Sequence, residues 1–199
     1  MKEGRILIVS GPSGVGKGTV LKEVMKNHPN MRFSVSATTR APRPGEIDGV
    51  HYRFLDKPCF EDLIARDALL EYAGYADNYY GTPAEPVLES IAKGESVILE
   101  IEVKGALQVM SRRKDAISIF IAPPSYAELR RRLYARGDTA PEVAEKRLKI
   151  AVEECSHAHE YQYIVVNDTV EQAVKEFEAI LLAESCRSEY NPINLKEEL

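Results

Sequence analysis

Nine residues near the start of the chain, Gly11-Pro-Ser-Gly-Val-Gly-Lys-Gly-Thr19, have the types and spacing to hold phosphate. Glycines at 11, 14 and 16 let the backbone take positive φ and come close to a ligand. Successive N–H groups then point inward and form an anion cradle. A helix that starts at the lysine adds its unpaired N–H groups and the positive end of its dipole. Lys17 brings a point charge that can follow phosphate oxygens. The run is a Gly-x-x-x-x-Gly-Lys loop, and the whole stretch Gly11, Pro12, Ser13, Gly14, Val15, Gly16, Lys17, Gly18 and Thr19 is the candidate triphosphate site. The Ser or Thr expected directly after the lysine is Gly18, with the hydroxyl one place later at Thr19, which shifts the Mg²⁺ ligand this motif normally supplies.

Other side chains extend this chemistry. Arg40 and Arg43 sit in a loop stiffened by Pro42 and Pro44; two guanidinium forks there suit a second phosphate, with Tyr52 and Tyr80 as hydroxyl donors. Arg130, Arg131, Arg132, Arg136 and Arg147 flank a break near residues 137–140, and such a segment can close on a triphosphate and neutralise charge in transfer. Glu128, four residues before Arg132, can pair with this helix face instead. Glu100 ends an apolar strand, where a carboxylate can organise Mg²⁺ through water, and Glu102 follows two residues on. Ser36, Glu71 and Thr82 border the middle of the chain; a carboxylate accepts two hydrogen bonds from a base edge carrying N–H and NH₂, as guanine does. Cys155-x-His157-x-His159 has a superficial metal-site spacing without a paired motif, and reads better as a helix C-terminus. No Ser-His-Asp or Cys-His nucleophile pattern is present.

The elements that must position these groups alternate. Ile6–Val9, Ser96–Leu99, Ile117–Ala122 and Tyr163–Val166 read as buried strands; residues 17–27, 84–93, 106–113, 129–133, 141–158 and 170–185 read as helices. Such alternation predicts a parallel sheet with helices on both faces and ligands beyond the C-terminal strand ends, where Gly11, Glu100 and Asn167 fall. Phe33–Ser36, His51–Leu55 and the tyrosine-rich stretch 69–80 make the span 36–82 mostly β, with a helix at 59–67. At 199 residues, 44% hydrophobic and 29% charged, the chain is ordinary for a soluble enzyme with one domain. The net charge of −5 argues against a nucleic-acid binder. Three scattered cysteines suit free thiols. No membrane-span-length apolar run and no signal peptide are seen, so the expected location is cytoplasmic.

Over roughly residues 4–182 these pieces resemble the guanylate kinase family. The motifs are Gly11–Lys17, Ser36-Ala-Thr-Thr-Arg-Ala-Pro-Arg-Pro-Gly45, Tyr79-Tyr-Gly81, Leu99-Glu-Ile-Glu102, the arginines of 129–137 with Lys146-Arg147, and Val166-Asn-Asp168. The resemblance implies an α/β P-loop NTPase fold. Its core would be 4–35, 83–124 and 147–182, with a GMP-binding insertion at about 36–82, a helical lid at about 125–146 and a tail at 183–199. It implies ATP and GMP as substrates, Mg²⁺ as the metal held near Thr19 and Glu100 through water, and a monomer or homodimer acting on neither nucleic acid nor membrane. Ser36, Glu71, Thr82 and Glu102 match positions that read guanine. Arg40, Arg43, Tyr52 and Tyr80 match those that hold the GMP phosphate. Arg132, Arg136 and Arg147 match arginines near the transferred phosphate, and Asn167 one near adenine. Many relatives have aspartates where this chain has Glu100 and Glu102. The alternatives are a P-loop kinase for another nucleoside monophosphate and a non-catalytic guanylate-kinase-like module that binds a protein.

Overall fold

The computed structural model describes residues 4–135 and 141–191. Its centre is a five-stranded parallel sheet ordered β2-β7-β1-β8-β9, with β1 at Ile6–Ser10, β2 at Met31–Phe33, β7 at Ser96–Glu100, β8 at Ile117–Ala122 and β9 at Tyr163–Val166. Helices α1 (Lys17–Asn27), α3 (Ala84–Ala92), α4 (Val103–Arg112) and α7 (Val170–Ser185) cover it. Because side chains alternate along a strand, Ile6 and Ile8 pack with Val87, Ala106 and Val109 on one face. Leu7 and Val9 pack with Val20, Leu21, Val24, Ala173 and Phe177 on the other. Strands buried on both faces explain the unbroken apolar runs in the sequence.

A second, four-stranded sheet ordered β4-β3-β6-β5 is built from β3 (Ala37–Thr38), β4 (Arg53–Phe54), β5 (Leu69–Tyr75) and β6 (Asn78–Pro83). Helix α2 (Lys57–Ala65) covers it, capped by the Asp56 carboxylate accepting the Cys59 N–H at 2.8 Å. Its own core is Ala37, Phe60 and Leu69, with Tyr79 stacked on Phe60 at 5.3 Å. Two expectations change here. The single strand expected over 69–80 is a hairpin whose turn, Ala76-Asp77, has positive φ at both residues (47° and 64°). Such turns usually announce themselves with Asn-Gly, and this one does not. Of the expected strand at 33–36 only Phe33 is in a strand, ending β2 of the large sheet; residues 34–36 cross to β3 of the small one.

Helices α5 (Tyr126–Tyr134) and α6 (Pro141–Ser156) form a separate pair, packed through Leu129, Leu133, Leu148 and Ala151. Ser125 caps α5: its Oγ accepts the Glu128 N–H at 3.1 Å. Residue 183, where the tail is expected to begin, lies within α7 (Val170–Ser185). Glu184 is 3% exposed, receives Arg5 at 2.8 Å and the Tyr163 hydroxyl at 2.5 Å, and Arg5 stacks on Tyr190.

Because the small sheet carries its own core, Phe60→Ala should cost about 3–5 kcal/mol, and that loss should be local. Native-state hydrogen exchange should show β3, β5 and β6 losing amide protection while β1 and β8 keep theirs.

Candidate functional site

The glycine-rich loop runs from the C-terminal end of β1 into α1, and its geometry is set by contacts behind it. Gly11 has φ 146°, and a Cβ there would lie 2.2 Å from the Ile121 carbonyl oxygen, so the loop must graze β8. Gly16, at φ 95°, is the N-cap of α1, and a Cβ there would meet the Asn167 amide at 2.7 Å. Asn167, expected beside adenine, is 3% exposed and donates to the Val15 carbonyl at 2.7 Å. It braces the loop from beneath. Gly18 differs from its neighbours: a Cβ there has nothing within 4 Å, so no crowding demands a glycine, and Thr19 beside it is exposed.

Lys17 folds over the loop and donates to the Gly11 carbonyl at 2.5 Å. Burial pushes its ammonium below the ordinary lysine range, opposed by the carboxylates of Glu100, Glu154 and Glu102. Arg132 is also turned onto the loop: it donates to the carbonyls of Val15 (3.3 Å), Asn167 (2.9 Å) and Asp168 (3.2 Å), with Glu128 accepting at 2.7 Å. Arg132, expected near the transferring phosphate, here meets carbonyls that lie 35 or more residues away in sequence. Arg147 is exposed and has no ion partner among the described residues, and Arg136 lies outside them.

A cleft of about 330 Å³ lies between the two sheets. Ser36, Tyr52, Glu71, Tyr80, Glu100 and Glu102 all line it, drawn from five separate stretches of chain. Glu71 is 7% exposed, and its Oε1 accepts the Thr82 hydroxyl at 2.6 Å. Burial pushes its carboxyl above the usual range; the Thr82 bond opposes this and the Glu102 charge adds to it. Thr82 itself is fully buried behind Glu71, so it orients the carboxylate rather than facing the cleft. The chain leaves the strand geometry after Glu100, and Glu102 is the N-cap of α4.

Beside the cleft, Arg40 forms a two-pronged pair with Glu46, both prongs at 2.9 Å, and stacks on Tyr52 at 5.4 Å. The Glu46 carboxylate also accepts the Arg43 N–H at 2.7 Å, and Arg40 holds its pKa down at about 2. Arg43 itself is exposed. Glu46 escaped the sequence reading; a lone acid within a basic loop was its only signal. Gly105 escaped too. A Cβ there would lie 2.6 Å from Glu71 Oε2, so this glycine makes room for the carboxylate. A glycine inside a helix costs about 1 kcal/mol relative to alanine, and that cost was the available signal.

The Cys155–His159 stretch assembles nothing: His157 pairs with Glu160 at 2.6 Å, His159 meets the Ser156 carbonyl at 2.8 Å, and Cys155 packs on the core. Among the described residues no group of three or more His, Cys, Asp or Glu could hold a metal ion, and no helix is long and apolar enough to cross a membrane.

The family model described as guanylate kinase matches residues 3–184. A guanylate kinase of Desulfitobacterium hafniense is 48% identical over 189 residues, covering 95% of this chain and 94% of that protein. One from Thermus thermophilus is 51% identical over 185 residues, covering 93% and 84%. Among solved structures, guanylate kinase from Anaplasma phagocytophilum superposes with a TM-score of 0.74 at 36% identity, over 98% of this chain and 93% of that one.

The loop contacts separate required glycines from optional ones. Gly18→Ala should raise stability by about 0.5–1 kcal/mol. Gly11→Ala should lower it, since neither its φ nor the Ile121 carbonyl leaves room for a methyl group. Thermal and urea unfolding of the two variants against wild type check both signs.

Proposed function

The chain belongs to the guanylate kinase family, and on that premise we propose how its own residues carry a phosphoryl group from ATP to GMP, giving ADP and GDP. The observation that carries the reading is the cleft that gathers Ser36, Tyr52, Glu71, Tyr80 and Glu102 beside the cradle of Gly11–Thr19. An acceptor base and a donor triphosphate can therefore be held next to each other.

The cradle N–H groups and Lys17 hold the ATP phosphates. Glu71, oriented by Thr82, accepts from the guanine N–H and NH₂ edge, and Ser36 and Glu102 complete the reading of the base. Adenine presents the opposite polarity and is refused. Arg40, pre-set by Glu46, takes the GMP phosphate with Tyr52, Tyr80 and Arg43. A phosphate monoester is largely dianionic at neutral pH, so its oxygen needs no general base to attack in line. Catalysis is then positioning and charge neutralisation. Arg147 on α6 meets the transferring group, Arg132 fixes the loop it closes upon, and Arg136, outside the described residues, is assigned to the same group by the family resemblance alone. That closure would exclude water and suppress hydrolysis of ATP.

The residues present fit Mg²⁺ held mostly by the nucleotide. Glu100 on the cleft wall and the exposed Thr19 are its protein neighbours through water, and Gly18 offers no hydroxyl. Held there, the ion would supply positive charge that offsets the phosphate charge.

Against a non-catalytic binding module stands the intact cradle with Lys17 inside it. Against another acceptor stands the buried, acceptor-only edge of Glu71. ADP release with ATP and Mg²⁺, compared across GMP, AMP, CMP and UMP, tests both. Turnover with GMP alone is expected. Turnover with another acceptor would overturn the roles of Ser36, Glu71 and Glu102, and none at all would favour the binding module.

The cleft makes a pH prediction. Glu71 must be ionised to accept both guanine hydrogens, and burial raises its pKa. The KM for GMP should therefore climb as pH falls, starting above the ordinary carboxylate value of about 4.3. Glu71→Gln should lose at least about 2 kcal/mol of GMP recognition, roughly 30-fold in kcat/KM, at neutral pH. The gap between variant and wild type should narrow as pH falls; a constant gap would refute the titration.

A further inference from the structure

The arginine loop beside the cleft contains a built turn. In Arg43-Pro44-Gly45-Glu46 the Glu46 N–H donates to the Arg43 carbonyl at 3.0 Å, and Gly45 has φ 85°. Proline at the second place and a left-handed glycine at the third are the marks of a type II turn. A Cβ on Gly45 would have nothing within 4 Å, so the backbone conformation alone asks for glycine there. The turn folds Glu46 back onto the arginines that precede it. Its Oε2 accepts the Arg43 N–H at 2.7 Å and Arg40 Nη1 at 2.9 Å, and its Oε1 accepts Arg40 Nη2 at 2.9 Å.

These contacts choose between two edges of the Arg40 guanidinium, which carries five N–H donors. Nη1 also donates to the Ala41 carbonyl at 2.7 Å, so this bond and the end-on pair with Glu46 use three of them. The two outside these bonds, one on Nε and one on Nη2, lie parallel along the side-on edge and match two oxygens of one phosphate. The guanidinium is held from its faces too, with Cζ 5.4 Å from the centre of the Tyr52 ring and 5.8 Å from that of Phe54. Tyr52 in turn lines the cleft. A free arginine loses rotamer freedom when it binds an anion; one already fixed at both Glu46 and Tyr52 has little left to lose.

We infer that Glu46 is a positioning residue for the acceptor phosphate: it occupies the end-on edge of Arg40, so that the side-on edge is the one offered to GMP. This rests on the phosphoryl-transfer reading above. Glu46 acts through the phosphate alone and has no part in reading the base. Its own negative charge opposes the phosphate, so the sign of the effect on removing it shows which wins. If orientation dominates, GMP binds more weakly without Glu46. If the carboxylate competes with phosphate for Arg40, GMP binds more tightly.

The deciding measurement is calorimetric binding of GMP and of guanosine, which lacks the phosphate, to wild type and three variants. Glu46→Gln keeps the shape and removes the charge, Glu46→Asp keeps the charge on a shorter stem, and Glu61→Gln changes an exposed acid on α2. Glu46→Gln should weaken GMP by about tenfold or more and leave guanosine within about twofold. Glu46→Asp should lie between Glu46→Gln and wild type, and Glu61→Gln should match wild type. In initial rates with ATP and Mg²⁺, Glu46→Gln should raise the KM for GMP by a similar factor with the KM for ATP unchanged. Tighter or unchanged GMP binding by Glu46→Gln would overturn the inference, as would an equal loss for guanosine, which marks a damaged fold rather than a misplaced arginine. If wild type phosphorylated no acceptor, the functional reading would fail while the binding arm still decided Glu46. A wild type that held GMP no more tightly than guanosine would refute its role.

Discussion

The path of loop 11–16 is the constraint on which the rest of the molecule depends. Within the loop the Val15 N–H donates to the Pro12 carbonyl at 3.2 Å, and Lys17 Nζ donates to the Gly11 carbonyl at 2.5 Å. Further support comes from outside. β8 presses on Gly11 through the Ile121 carbonyl, and the Asn167 amide reaches Val15 from beyond β9. Arg132 binds three carbonyls at once and joins the loop to the end of the sheet. An anion site that is organised before its ligand arrives spends less of its binding energy on ordering.

A second constraint is charge. The chain is acidic overall, yet the proposed reaction brings two polyanions to it. Its arginines are individually placed by acids paired with them. Glu46 sets the Arg40 fork, and Glu128 sets Arg131 and Arg132. Glu71 is the opposite case, a carboxylate held in a nearly dry place by one hydroxyl and by the missing side chain of Gly105. Such a group is unfavourable for folding; in the proposed role it favours discrimination, because a base that fails to satisfy it leaves a buried acceptor unpaired.

The two sheets divide these duties. The parallel sheet, buried on both faces, supplies hydrogen-bonded neighbouring strand ends, and these carry the loop, Glu100 and Asn167. The smaller sheet has its own core around Phe60 and brings in Glu71, Thr82, Tyr80 and Tyr52. The cleft exists only where these bodies face each other. The α5–α6 pair is joined by a small cluster of four residues and meets the loop at Val15 through Arg132.

The sequence by itself determined the glycine-rich loop, the parallel α/β core and the family resemblance. Those rest on local spacing: glycines at 11, 14 and 16, a lysine at 17, and apolar runs of strand length alternating with helical periodicity. Local spacing is written along the chain and can be read there. The hairpin at Ala76-Asp77 was not legible, because its residues carry positive φ without the usual glycine. Tertiary structure alone decided that Thr82 stands behind Glu71, that Asn167 and Arg132 spend their donors on the loop, and that Gly105 and Glu46 matter at all. Each of these depends on which distant backbone or side chain lies within about 3 Å, as a hydrogen bond or a steric contact requires. Separations such as the 152 residues between Val15 and Asn167 leave no periodic trace in the sequence.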